Sequence, residues 1–113
     1  MMTLERFRQE LAGPDIVARL RAGLIGEGRM IPGPYGERPL IYADYTASGR
    51  ALRQVEDFVA EEVLPFYANS HTEASYCGAR TTRLREEART LIAAETNAGD
   101  DCTVIFSGSG ATS

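Results

Sequence analysis

The sequence contains no lysine; all twelve of its basic residues are arginine, set against sixteen acidic ones. Codon bias in a GC-rich genome produces such an arginine excess without any functional cause. Whatever the origin, a mechanism that needs a lysine amine is not completed by these 113 residues. Cysteine is scarce as well. Cys77 and Cys102 are too few and too far apart for a disulfide scaffold or a zinc site. They read as small buried or half-buried residues of a reducing compartment. No apolar run approaches a bilayer-spanning length. Charges interrupt Leu4, Phe7 and Leu11, so the N-terminus is not a signal-peptide core. Both absences point to the cytoplasm. Net positive charge is also missing: the formal charge is -4 and the pI about 5.0. A nucleic-acid partner calls for a basic surface and is not expected.

What is present is the composition of a folded domain, with 43% apolar and 25% charged residues. Leu4, Phe7 and Leu11 share one face of a helix over Thr3–Leu11. Gly13 and Pro14 end it, and Asp15 is placed to cap a second helix carrying Ile16, Val17, Leu20 and Leu24. Gly26 to Pro39, with four glycines and three prolines, reads as an irregular connector. Leu40–Ala43 reads as a short strand closed by the polar turn Asp44–Gly49. A helix follows with Leu52, Val55, Val59 and Val63 in its apolar stripe, ending near Pro65.

Tyr67–Ala79 is a polar loop holding His71, the chain's one histidine. An amphipathic helix is expected from Thr81 or Thr82, with Leu84, Ala88, Leu91, Ile92 and Glu95 on one side. Arg80, Arg83, Arg85 and Arg89 read as its solvated face, paired in part with Glu86 and Glu87. After a turn at Asn97–Asp101, Cys102–Phe106 has the continuous apolar character of a strand buried on both faces of a parallel sheet. Two short strands do not make a stable sheet. The expectation is an incomplete, mostly parallel α/β sheet with flanking helices, its remaining strands lying beyond Ser113.

An apolar strand running into Ser107-Gly108-Ser109-Gly110-Ala111-Thr112-Ser113 suits an anion. Glycines let backbone N–H groups approach a phosphate, and hydroxyls add donors. A plain strand-to-helix loop, with Thr112 as helix cap, reads the same way. The dinucleotide fingerprint needs a glycine where Ser113 stands, and the Walker loop needs the lysine that is absent.

Read together with the segments before it, the tail becomes more specific. Leu40-Ile41-Tyr42-Ala43-Asp44-Tyr45-Thr46-Ala47-Ser48-Gly49 resembles the early strand-and-turn signature of the class V aminotransferases. That pyridoxal-phosphate family includes cysteine desulfurases and molybdenum-cofactor sulfurases. Tyr45 stands where many members carry asparagine or a small residue, which marks a divergent branch. Asn69-Ser70-His71-Thr72 is similar to the family's loop ahead of a charged helix, Arg80–Glu95 to that helix, and Val104–Thr112 to the strand and cofactor-phosphate loop. The likeness covers residues 38–113, in the family's order and spacing.

The resemblance implies a fold-type-I pyridoxal-phosphate transferase, with residues 1–37 a helical segment and connector and 38–113 the start of the cofactor-binding α/β domain. It implies that Gly110, Ala111 and Thr112 hold the phosphate of pyridoxal 5'-phosphate, Gly110 by permitting close approach. His71 would lie at the mouth of the site as a substrate contact; a loop histidine bonded to its own turn is the alternative. Asp44 is better read as a turn residue than as an acid. Cys77 takes no catalytic part, since the family's sulfur-carrying cysteine comes far downstream. No residue here is assigned a catalytic or metal-binding role, because the Schiff-base lysine and the pyridine-pairing aspartate are expected elsewhere. The complete protein would be a homodimer acting on an amino acid, as aminotransferase or desulfurase. A small phosphate- or nucleotide-binding module and a non-catalytic interaction protein are the competing readings.

Overall fold

A computed structural model describes residues 2–108 of the chain. Its helices are α1 (Thr3–Glu10), α2 (Ile16–Ala22), α3 (Arg53–Phe58) and α4 (Tyr76–Glu95). Two-residue strands β1 (Met30–Ile31) and β2 (Arg38–Pro39) pair between α2 and α3. The chain separates into two compact units, one of residues 9–65 and one of residues 1–8 with 66–113.

Within the first unit, α2 starts where Gly13-Pro14-Asp15 predicts, but Asp15 does not cap it with its side chain. Its backbone (φ -98°, ψ 12°) is not the extended conformation that aims a carboxylate at the first free N–H groups. The carboxylate stands 3.9 Å from Arg19 Nη1 instead. The segment read as a connector holds the β1–β2 pair, antiparallel, with Met30 opposite Pro39 and Ile31 opposite Arg38. A turn closes it through reciprocal hydrogen bonds between Gly33 and Gly36, at 3.1 and 3.2 Å. Gly36 takes φ +97°, where a side chain would be strained. Pro39 lies at a position whose nitrogen faces away from the partner strand, where its missing N–H costs no ladder bond.

Leu40–Ala43, expected as a strand, is not one among the described residues: only the Leu40 N–H reaches a facing carbonyl, that of Arg29, and Ile41 is 88% exposed. Its organising residue is Tyr42, whose hydroxyl lies 2.8 Å from the Ser48 carbonyl and 2.6 Å from Ser48 Oγ. Tyr45 packs edge-on against its ring and Arg50 lies over it. Asp44 serves the turn through its carbonyl, which accepts the N–H groups of Ala47 and Ser48. The expected Leu52–Val63 helix forms in two parts: α3, then a π-helical turn over Val59–Val63. A 3₁₀ turn at Leu64–Phe66 follows, as Pro65 requires.

In the second unit α4 is the long element. Asn97 at φ +54° ends it with two reversed hydrogen bonds, Ala98 N–H to Ala93 O (2.9 Å) and Asn97 N–H to Ala94 O (3.3 Å). That is the left-handed helix stop asparagine tolerates. Glu87 on α4 is 7% exposed, and its carboxylate accepts the Glu5 N–H at 2.8 Å. An anion thus meets the unsatisfied N-terminal donors of α1.

Cys102–Phe106 pairs with no strand and is not a strand among the described residues, with Ile105 78% exposed. A strand exists by pairing, and no neighbouring strand is described to supply the partner. The expected mostly parallel sheet is therefore not what residues 2–108 contain; they are helix-rich, with one short antiparallel pair. No described apolar side chain is fully buried. Without a dry core the isolated chain should unfold gradually on heating, keeping α4 and the segments docked on it at low temperature. Differential scanning calorimetry is expected to show no sharp heat-absorption peak, and the dye ANS to bind at neutral pH; a sharp peak without dye binding would contradict this.

Candidate functional site

The site candidate His71 lies on the loop between Phe66 and Ser75, and that loop is held by α4. The helix begins at Tyr76, earlier than Thr81, because Ser75 caps it: Ser75 Oγ accepts the Gly78 N–H at 3.1 Å. Thr81 and Thr82 therefore sit inside α4, with their hydroxyls turned to the loop. Thr81 Oγ1 accepts the Ala68 N–H at 3.3 Å and donates to Phe66 O at 3.5 Å. Thr82 Oγ1 accepts the His71 N–H at 3.1 Å and donates to Thr72 O at 3.5 Å. Loop backbone that a sheet would otherwise satisfy is satisfied here by helix side chains.

Gly78 makes that docking possible. A Cβ there would stand 2.6 Å from Thr72 Cγ2 and 3.1 Å from the Thr72 carbonyl oxygen. His71 itself is exposed, with φ +67°. A non-glycine residue in that region costs about 1 kcal/mol or more, so the loop must hold it there. The hydrogen bond from its N–H to Thr82 is one such restraint.

Past α4, the apolar run returns along the helix. Arg89 Nε donates to Val104 O at 3.3 Å. The guanidinium carbons of Arg85 and Arg89 stand 5.3 and 5.2 Å from the centre of the Phe106 ring. Arg80 lies over Phe66 in the same way, at 4.5 Å. The arginine face expected to be solvated is thus half-buried at Arg80, Arg85 and Arg89, and only Arg83 is exposed. Their flat, weakly hydrated guanidinium groups pack on rings where an ammonium would stay in water. Of the expected pairings, Glu86 meets Arg89 at 2.6 Å, whereas Glu87 faces α1.

Gly110, Ala111 and Thr112 lie outside the described residues, which reach Gly108. Cys77 is half-buried, and exposed Cys102 stands 3.6 Å from Asp101 Oδ1. No group of metal-ligating side chains forms among the described residues. Nor, among them, is any helix long and apolar enough to cross a membrane.

An α-helix carrying a docked polar loop thus precedes an apolar run into a glycine-serine tail. The sequence model of the aminotransferase class-V family matches residues 41–113, and the chain belongs to that family. Its members generally use pyridoxal phosphate. No individual characterised protein and no solved structure matches the chain.

The residues present fit one end of that cofactor. From Cys102 to Ser113 there is no charged side chain, while Ser107, Ser109, Thr112 and the glycines between them offer hydroxyl and backbone donors suited to a phosphate. The covalent end is not served, since no lysine is present. The threonine clamp went unread in the sequence. Its available signal was Ser75 three residues before Gly78, which moves the helix start back and puts Thr81-Thr82 inside it.

Two substitutions test the docking. Gly78→Ala gains about 1 kcal/mol of helix propensity but drives a methyl group into Thr72. Amide exchange at Ala68 and His71 should accelerate while α4 helicity, by circular dichroism, holds or rises. His71→Gly should preserve exchange protection at Ala68, and His71→Val should lose it, because a β-branched residue tolerates φ +67° worst. Equal protection in the two position-71 variants would refute the left-handed restraint.

Proposed function

We propose that this chain is the phosphate-binding opening of a pyridoxal-phosphate enzyme that acts on an amino acid, as an aminotransferase or in the manner of a cysteine desulfurase. The single observation that carries the reading is the class V family match over residues 41–113, which runs directly through the glycine-serine-threonine tail. The cofactor, when bound, supplies an electron sink for reactions at the substrate's α-carbon. In this proposal the N–H groups of Ala111 and Thr112 and the hydroxyl of Thr112 bind its phosphate, and Gly110 permits its close approach. His71 contacts the substrate from its loop, oriented by the restraint on its backbone. The proton-moving lysine lies outside residues 1–113, so this segment binds and orients but does not catalyse. Leu40–Ala43 and Cys102–Phe106, which form no strand among the described residues, become strands of a mostly parallel sheet when neighbouring strands are supplied. The complete enzyme is proposed to be a cytoplasmic homodimer.

The experiment is a titration of the chain with pyridoxal 5'-phosphate, followed by the ³¹P resonance of the cofactor. A saturable shift is expected, weakened about tenfold in Thr112→Val by loss of one charge-assisted hydrogen bond. No shift, or one indifferent to Thr112→Val, would remove the phosphate assignment. In the intact enzyme, borohydride reduction followed by peptide mapping should place the cofactor on a lysine beyond this segment.

A further inference from the structure

A groove of about 510 Å³ runs between α4 and the segment Cys102–Phe106. Such a volume suits a small ligand. Its polar lining includes Arg85, Arg89, Thr90 and Thr103, and no carboxylate lines it among the described residues. Arg85 and Arg89 are one helical turn apart and share a face, where like charges repel. Both are pinned against Phe106.

Their hydrogen bonding is unequal. Arg89 is supplied, by Glu86 Oε1 at 2.6 Å and Val104 O at 3.3 Å. Arg85 Nε is buried and has no acceptor among the described residues. Glu86 neutralises one of the two cations and leaves the other without a counterion in a half-buried setting. A buried cationic donor without an acceptor is costly, and the ring fixes its direction. The groove therefore has a net positive, preorganised lining within a chain of net charge -4.

We infer that Arg85 and Arg89, backed by Phe106, form a subsite for a small oxyanion, carboxylate or phosphate, that supplies the counter-charge Arg85 lacks. The proposal does not depend on the assignment of Gly110–Thr112. The guanidinium fork matches two oxygens of one anion. Large polyanions are disfavoured by the chain's net charge of -4.

The 113-residue chain is titrated with sodium phosphate and, in a parallel arm, sodium acetate, at constant ionic strength, while the arginine Nε–H resonances are followed by NMR. A saturable shift at Arg85 is expected in at least one arm, and the arm that responds more tightly identifies the oxyanion class. Arg85→Gln should weaken binding about tenfold, as loss of a charged hydrogen-bonding partner does. Glu86→Gln releases Arg89 from its internal carboxylate and should tighten binding severalfold, a gain that unfolding does not produce. Thr112→Val should leave the Arg85 response unchanged. The inference is overturned if neither anion shifts Arg85, if Arg85→Gln binds as the parent does, or if Glu86→Gln does not tighten binding. A phosphate response abolished by Thr112→Val but not by Arg85→Gln would place the anion on the tail, sinking this subsite while supporting the phosphate assignment there.

Discussion

The unit built from residues 1–8 and 66–113 depends on one arrangement: α4 acts as the hydrogen-bonding surface that a sheet or core would ordinarily provide. Its first turn takes the cap of Ser75, and its second turn offers Thr81 and Thr82 to four backbone groups of the loop before it. Its middle offers Glu87 to the first turn of α1, and Arg85 and Arg89 to the segment behind it. None of these contacts buries much apolar area. The hydrogen bonds among them each satisfy a backbone group that would otherwise lack a protein partner, and the two arginines cover the Phe106 ring. Order in this unit is polar and local.

That explains which features were legible in the sequence. Helices announce themselves by local periodicity and punctuation, so α1, α2, α3 and most of α4 follow from Leu, Val and Ile spacing with Gly13-Pro14, Pro65 and Asn97 as stops. Capping geometry was less legible. Asp15 has the right chemistry at the right position but the wrong ψ, and a dihedral is set by neighbours that composition does not reveal. Ser75 was passed over because the glycine behind it looks like a loop residue; only the approach of Thr72 shows why a glycine stands inside the helix. Non-local pairings were least legible. Leu40–Ala43 and Cys102–Phe106 have strand composition, yet composition gives a propensity and a ladder needs a partner.

For the candidate site, the order of blocks was informative where single residues were not. Asn69-Ser70-His71-Thr72, the charged helix and the Val104–Thr112 tail carry the family resemblance, and the family match over residues 41–113 bears it out. Nothing in the spacing of His71 said that its backbone would be left-handed and tied to Thr82, because that restraint comes from a residue eleven positions away. Nor did it reveal that the arginines of α4 lie on aromatic rings. The stacking follows from Phe66 and Phe106 lacking a core to enter, so that the flattest cations available cover them.

The acidic overall charge and a positive local groove are compatible because they act on different length scales. At physiological salt, charges separated by more than about 8 Å are largely screened. A net charge of -4 therefore weighs against a long polyanion, which must approach many acidic residues at once. It says little about an ion of a few atoms seated against two guanidinium groups. From Cys102 to Ser113 the sequence has no charged side chain. At Phe106 the charges in contact are the guanidinium groups of Arg85 and Arg89, which favour an anion. Composition excludes a class of partner by its size and charge together, and a small anion passes that filter where nucleic acid does not.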